Sequence, residues 1–333
     1  MDRARLCPLG PSLGGVMVKP AVTVLMPVYN TPGELLEQAI RSVEAQTFTD
    51  FELLILDDGS SGQSTLAVLK SAELRDTRAR LSHQAHRGLT PTLNIGLGLA
   101  AGDFIARHDA DDWSDWKRLE RQVSFLRSHP ETVVVGSSVW MHQHGGRPLW
   151  QVEFPLAPPD IDRSFWTGNP FVHGAVMFRK PEALAAGGYR EALCCSQDYD
   201  FFWRLSQGGK GANLPEALYH YRFTAGSVSA AKAQEQALAH RAARFLAASR
   251  QRGEQENVEE ALQTAGASPQ ENSAFRAWLK QADHLMLAGE YHAAARAYLR
   301  LLRARPASPL AWAKLLRLGV FQTVPAARKA VFR

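Results

Sequence analysis

Phe104-Ile105-Ala106-Arg107-His108-Asp109-Ala110-Asp111-Asp112 decides how the rest of the chain is read. The stretch Phe104–Arg107 reads as a short strand and is followed at once by a burst of carboxylates. Just upstream, Leu89–Ala101 has helical character and is stopped by Gly102. Further back the same alternation repeats. Val22–Met26 is β-rich and runs into Pro27-Val28-Tyr29-Asn30, and Gly33–Ala45 follows with Leu35, Leu36, Ala39, Ile40 and Val43 at helical spacing. Phe51–Leu56 is another apolar run, ending in Asp57-Asp58-Gly59-Ser60, and Gln63–Leu74 is helix-like. Strand, helix, strand, helix points to an α/β fold with parallel strands and helical crossovers. Three polar clusters fall at the C-terminal ends of strands, where open α/β sheets bind ligands.

Downstream, Asp115–Arg127 is expected to be helical, Val133–Met141 a strand, and His144–Pro148 and Pro155–Pro159 loop. Ala175–Arg179 and Leu218–Phe223 read as strands flanking a helix over Tyr199–Gln207. After Ser229 the composition turns to Ala, Gln, Arg and Leu and strand signals stop. The expected organisation is a lead-in over 1–20, read as disordered, an α/β domain over 21–229 and an all-helical region over 230–333. Met17 stands just before the first strand and competes with Met1 as the start. Trp278 and Trp312 are 34 residues apart, with Gly289, Tyr291, Ala294, Tyr298 and Pro306 between them, which resembles one tetratricopeptide unit and the start of a second. Fewer than three units cannot stand alone as a solenoid. This region is therefore either an appendage packed on the α/β domain or a surface for a protein partner.

Composition sets broad limits. The 333 residues are 45% apolar and 21% charged, an ordinary globular balance, and the formal charge of +5 suits phosphate-bearing ligands or an anionic surface without marking a nucleic-acid binder. The three cysteines, Cys7, Cys194 and Cys195, include no CxxC pair, and the expected compartment is reducing, without structural zinc. No run of about 18 apolar residues exists to span a membrane. The turn after the first strand, Pro27-Val28-Tyr29-Asn30-Thr31-Pro32, lacks the Gly-x-Gly-x-x-Gly of dinucleotide binders, and no P-loop is present.

Each cluster has a chemical and a structural reading. Asp109 and Asp111, at i and i+2, can approach one hard divalent cation, Mn²⁺ or Mg²⁺, alongside substrate phosphates. Asp112 can equally be a helix cap. Asp57 and Asp58 can accept hydrogen bonds from a base or ribose, or simply make a turn. Tyr29 offers a face for stacking a base, or packs at the sheet edge. Asp198, at a helix start, is expected to be kept ionised by the helix dipole and able to take a proton, with a helix cap as the alternative.

Taken in order, these pieces resemble family 2 glycosyltransferases, which have the GT-A fold, a Rossmann-like mixed sheet flanked by helices. The resemblance rests on Val24–Asn30, Phe51–Ser60, Asn94–Asp112, Asn169–Arg179 and Gln197–Arg222, and spans Ala21 to Ser229. It implies an inverting transfer from a nucleoside-diphosphate sugar, a UDP-sugar by expectation, to a glycan or lipid-linked acceptor. It implies Pro27, Tyr29, Asn30, Asp57, Asp58 and Asp109 on the donor side, Asp109 and Asp111 on the metal, and Asp198 as catalytic base. His173, Asp112 and Trp203 fall on the acceptor side, His173 with a structural loop role as an equal alternative.

There are two departures from the family pattern. Gln197 stands where a glutamate commonly precedes the base, and the Gln-x-x-Arg-Trp motif of processive members is absent, which favours one sugar per binding event. The expected location is cytoplasmic, with a peripheral contact to the inner membrane face through the basic, Leu-rich Lys314–Arg333. No nucleic-acid partner is expected. The competing non-enzyme reading is a degenerate transferase domain used as a scaffold through its helical tail.

Overall fold

The structure, a computed structural model, describes residues 19–224, 232–267 and 271–323. The lead-in through Met17, the domain boundary near Ser229 and the end of the basic C-terminal stretch lie outside the described residues.

Among the described residues, nine strands form one mixed sheet. Strands β1 (Val22–Val28), β2 (Phe51–Asp57), β3 (Ala79–His83) and β4 (Phe104–Arg107) are parallel and ordered β3-β2-β1-β4. The sheet then continues through β8 (Met177–Arg179), β6 (Thr132–His142), β9 (Lys210–Arg222) and β5 (Trp113–Ser114), with β7 (Pro148–Val152) paired to β6. β8 is antiparallel to β4 and β6, while β6 and β9 run parallel.

Strand β1 is buried at every position, so it reads as a continuous apolar run rather than an alternating one. Its alternate side chains feed two cores. Leu25 joins Leu54 and Leu56 on one face. Val22, Val24, Met26 and Val28 join Leu53 and Ile55 on the other.

Helix α1 (Gly33–Glu44) buries Leu36, Ala39, Ile40 and Val43 in the second core, beside α2 (Gln63–Arg75) and α4 (Arg118–Ser128). Helix α3 (Leu89–Leu99) covers the first core and approaches so closely that a Cβ on Gly96 would stand 2.3 Å from Leu25 Cδ1. Short helices α5 (Pro158–Ser164) and α6 (Lys180–Ala185) precede α7 (Gln197–Leu205).

Three strands go beyond what the sequence predicts. β3 is a partly exposed edge, β5 has two residues, and β7 begins at Pro148, inside the stretch expected to be loop. Short, half-polar edge strands carry little of the apolar periodicity that marks buried ones, and proline is tolerated at an edge. The helix expected from Asp115 begins at Arg118, because Trp113 and Ser114 first pair with His220 and Tyr219.

The last five helices are α8 (Ala233–Gln251), α9 (Val258–Ala267), α10 (Glu271–Ala288), α11 (Tyr291–Ala304) and α12 (Pro309–Thr323). Ala242, Ala243, Leu246 and Ala247 of α8 join the first core beside Tyr199 and Trp203. Helices α10 and α11 form a helical hairpin turned by Gly289, whose φ of +90° favours glycine. Their apolar residues Ala282, Met286, Leu301 and Tyr298 share a cluster with Leu149 and Phe223 of the α/β domain. The helical region is therefore packed onto the sheet, as the appendage reading expects. Among the described residues no helix is long and apolar enough to cross a membrane.

Candidate active site

Strand order reverses between β1 and β4, so the crevice beyond their C-terminal ends is the place where this sheet can receive a ligand. Three loops meet there: residues 29–32 after β1, 58–62 after β2 and 108–112 after β4.

The first two loops are tied together by Asn30. Its φ of +48° turns the backbone, its Oδ1 accepts from the Ser61 and Gly62 amides (2.9 and 3.0 Å), and its own amide donates to Ser60 Oγ (2.9 Å). Asn30 thus shapes the rim of the crevice. Tyr29 is half exposed, and its ring stacks on His86 at 3.9 Å between centroids.

The two aspartates after β2 are also committed. Asp57 is buried, accepting from the Ser60 amide (3.0 Å) and pairing with His83 Nδ1 (2.8 Å). Asp58 accepts from Gln84 Nε2 (2.8 Å), the Arg87 and Gly88 amides (2.8 and 2.9 Å) and lies 2.9 Å from His86 Nδ1. Burial alone would raise the Asp58 carboxyl, but the bonds from Gln84, Arg87 and Gly88 outweigh it and hold the pKa below its ordinary value. Asp58 therefore holds the loop that carries His86 and Arg87. That loop, Gln84–Gly88, is not singled out by the sequence reading. Its signal is a basic pair before Gly88, at the start of a helix.

After β4, the site is organised around Arg107, whose guanidinium is 1% exposed and ion-paired to Asp109. An arginine at the buried end of a central strand is anomalous, since a buried charge must be paired. That anomaly could have flagged it from sequence. Its charge acts on Asp111, His173, Tyr189, Asp198 and Tyr219. Asp109 also takes its backbone position from Tyr219, whose hydroxyl accepts from the Asp109 amide (3.0 Å). Gly174 closes this wall: a Cβ there would lie 2.2 Å from the Tyr219 hydroxyl and 2.6 Å from Asp109 Oδ2.

The end of β9 clamps the acidic loop. The Arg222 amide donates to Asp112 Oδ1 (2.7 Å), Arg222 Nε donates to the Asp111 carbonyl (2.9 Å), and Thr224 Oγ1 donates to Asp111 Oδ2 (3.2 Å). Asp112 is 2% exposed, so it is a strut under the loop rather than a group facing an acceptor. Nor does it cap α4, which starts six residues later. Burial, then the charges of Asp111 and Asp109, push Asp112 well above the ordinary carboxylate range. Burial and Asp109 likewise push Asp111 up to about 6.

Crowded, partly desolvated carboxylates of this kind suit a cation. Asp109 and Asp111 offer hard oxygen donors in the pattern that Mg²⁺ or Mn²⁺ takes beside phosphates. The donor set fits such an ion. A pH dependence follows. A carboxylate with a raised folded pKa stabilises the fold below the unfolded value near 3.8, and that contribution is lost as pH rises through about 6. A bound dication works in the opposite direction, since it needs Asp111 ionised. Metal-dependent stabilisation by a nucleoside diphosphate should therefore be full at pH 7.5 and shrink steeply below about pH 6, measured as a difference in Tm with and without Mn²⁺.

On the opposite wall, α7 begins after Ser196, whose side chain makes no capping bond, and carries Asp198 in its first turn, one residue past the helix start. Asn169 Nδ2 donates to Asp198 Oδ2 (2.9 Å). Burial raises the Asp198 pKa, outweighing the Tyr199 and Asp198 amides, Arg107 and Asn169. This corrects the expectation that the helix dipole would lower it, because desolvation is the larger effect at this depth. Asp200 is turned away and locked between Arg190 (3.1 Å) and Arg204 (2.9 Å). His173 Nε2 meets the Tyr189 hydroxyl (3.1 Å), and burial, reinforced by Arg107, keeps the ring neutral. Trp203 is 4% exposed and stacks on Phe165 at 5.4 Å, so it belongs to the core and not to the acceptor face. Pro27 lies within β1, paired in register with Leu56.

The model of "Glycosyl transferase family 2" matches residues 23–187. The chain is 34% identical over 208 residues to the putative glycosyltransferase EpsE of Bacillus subtilis, covering 61% of this chain and 73% of that protein. The chain belongs to glycosyl transferase family 2. It is also 35% identical over 203 residues to the amylovoran biosynthesis glycosyltransferase AmsE of Erwinia amylovora, covering 60% of this transferase and 75% of AmsE. Among solved structures, the mannosyltransferase PcManGT from Pyrobaculum calidifontis, in complex with GDP-Man and Mn²⁺, superposes with a TM-score of 0.53 at 17% identity. That match covers 94% of the transferase and 83% of PcManGT. S. aureus TarS 1–349 with UDP-GlcNAc gives 0.53 at 18% identity, over 89% of the transferase and 88% of TarS 1–349. These likenesses place the transferase in the GT-A fold.

Proposed function

We propose that this glycosyltransferase moves one sugar per binding event, with inversion, from a nucleoside-diphosphate sugar to a hydroxyl of a glycan or lipid-linked acceptor in envelope polysaccharide synthesis. The observation that carries this reading is the pairing of Asp109 with buried Arg107, two residues before Asp111 at the sheet's switch point, together with the buried Asp198 held by Asn169. Asp198 is a single, desolvated carboxylate held by Asn169, with a raised pKa that strengthens it as a base. In direct displacement it takes the proton of the acceptor hydroxyl as that oxygen attacks the anomeric carbon and the diphosphate leaves. The Tyr189 hydroxyl meets His173 on the same side as Asp198. Asp109 and Asp111 would hold Mn²⁺ or Mg²⁺, which supplies charge neutralisation to the leaving diphosphate. Tyr29, beside His86, presents the aromatic face for the base.

A UDP-sugar remains the first donor to try, because TarS 1–349 is described with UDP-GlcNAc, and GDP-Man the second, because PcManGT is described with it. Thermal shift with UDP-, GDP- and dTDP-sugars, each with and without Mn²⁺, is the deciding experiment. A metal-dependent rise with one nucleotide class is expected; no rise with any donor would move the scaffold reading ahead. In the same assay Asp111→Ala should lose the metal-dependent part of the shift, weakening apparent donor affinity by about tenfold or more, as expected for a missing metal ligand. An unchanged metal requirement in that variant would remove Asp111 from the site.

A further inference from the structure

The helical region after β9 has no role in the chemistry described so far, yet it touches the acidic loop through two hydrogen bonds. Buried His284 of α10 places Nε2 2.8 Å from the Thr224 carbonyl. Thr224 in turn donates its hydroxyl to Asp111 Oδ2 (3.2 Å). Thr224 sits just past β9, next to Phe223, whose ring meets His284 edge-on at 5.1 Å and is buried among the residues of α10 and α11. One turn earlier on α10, Lys280 donates to Gln236 Oε1 (2.6 Å) of α8, and Gln236 receives the Ser196 hydroxyl through its carbonyl (3.2 Å) at the start of α7. Helix α10 is therefore linked through Gln236 of α8 to the start of the base-bearing helix and through Thr224 to the acidic loop.

We propose that the C-terminal helical region is part of the active site's framework, with His284 the positioning residue that holds Thr224 so that Thr224 orients Asp111. This rests on the reading of Asp109 and Asp111 as metal ligands. A carboxylate on a turn can rotate among several orientations, and each unproductive one must be given up on binding a cation. A hydroxyl donor at Oδ2 restricts that rotation. The hydroxyl is useful only where the Thr224 backbone is held, and the bond from His284 to the Thr224 carbonyl holds it just past the end of β9. Were His284 there only to fill the core, its ring against Phe223 would suffice and its Nε2–H donor would be dispensable.

Two substitutions separate donor from packing. His284→Phe keeps an aromatic ring and removes the donor; His284→Gln removes the ring and keeps an N–H donor at similar reach. Mn²⁺ binding to the full chain is read from the free-ion EPR signal, with UDP and with GDP as the diphosphate, and Tm is recorded for every variant. His284→Phe is expected to weaken Mn²⁺ binding at least tenfold, and His284→Gln to stay within about threefold of wild type. Thr224→Val, which leaves the His284 bond to the carbonyl in place, is expected to match His284→Phe. Adding His284→Phe to Thr224→Val is expected to weaken binding little further, because both act through one hydroxyl. Mn²⁺ binding unchanged in Thr224→Val, equal losses in His284→Gln and His284→Phe, or additive losses in the double variant would each overturn the proposal. A wild-type chain that binds no Mn²⁺ with either diphosphate would overturn the metal reading itself.

Discussion

Asp198→Asn is expected to lower turnover by about three orders of magnitude while leaving donor affinity within a fewfold of wild type, on the scale of general-base losses of 10²–10⁴. The exchange is nearly isosteric, and the carbonyl oxygen of the introduced amide can still accept from Asn169, so the wall keeps its shape. What disappears is the ability to take a proton. An interaction made only in the transition state lowers kcat and kcat/KM together and leaves ground-state binding alone. Steady-state kinetics beside donor titration by thermal shift separates these quantities. Turnover at the wild-type level would remove Asp198 as the base, whereas a parallel loss of donor binding would make it a binding residue. The raised pKa of Asp198, set by burial, predicts that the acidic limb of the wild-type kcat profile lies above the ordinary carboxylate range. That limb should vanish from the residual activity of the variant.

Gly174→Ala is the second large effect. Gly174 is not among the positive-φ residues, so alanine suits its backbone and the obstacle is space alone. The new methyl would meet the Tyr219 hydroxyl at 2.2 Å and Asp109 Oδ2 at 2.6 Å. Neither can retreat freely. Tyr219 is fully buried, with the Arg118 guanidinium 5.0 Å from its ring centre, and Asp109 is paired to Arg107. Overpacking of this kind costs about 1–3 kcal/mol in stability. A shift of about 1 Å at Asp109 costs about a hundredfold in rate, since proximity effects are that steep. Activity is therefore expected to fall far more than Tm. Gly168→Ala is the control, because a Cβ there meets nothing within 4 Å. If Gly174→Ala retained wild-type kcat/KM, the tight contact between this wall and Asp109 would have no catalytic meaning.

These two residues were not equally legible. Asp198 could be found from sequence, since it begins an apolar helix at the position where the family places a base. Gly174 could not, because its significance lies in Tyr219, which arrives from another strand. Arg107 was written inside the very stretch that decides the fold, and only its pairing with Asp109 shows why a charge belongs there. Trp203 and Asp112 were placed on the acceptor side from their motif neighbourhood, yet burial at 4% and 2% assigns one to the core and the other to a strut. Asp58 was read as a donor-side residue, and its bonds to the loop 84–88, which lies far from it in the chain, are visible only in the tertiary structure.

Local order and chemistry were determined by the sequence by itself. Apolar periodicity set strands β1, β2 and β4 and the helices between them, their alternation set a parallel α/β sheet, and acidic clusters were found at strand ends. The tertiary structure alone decided which partner each of those acids holds. It also decided that desolvation outweighs the helix dipole at Asp198, and that α10 of the C-terminal region reaches Asp111 through Thr224. The physical reason is range. Periodicity and capping act over a few residues and are written along the chain, whereas burial and hydrogen-bond saturation are properties of groups brought together from more than 20 residues away, as Asp58 is with Gln84.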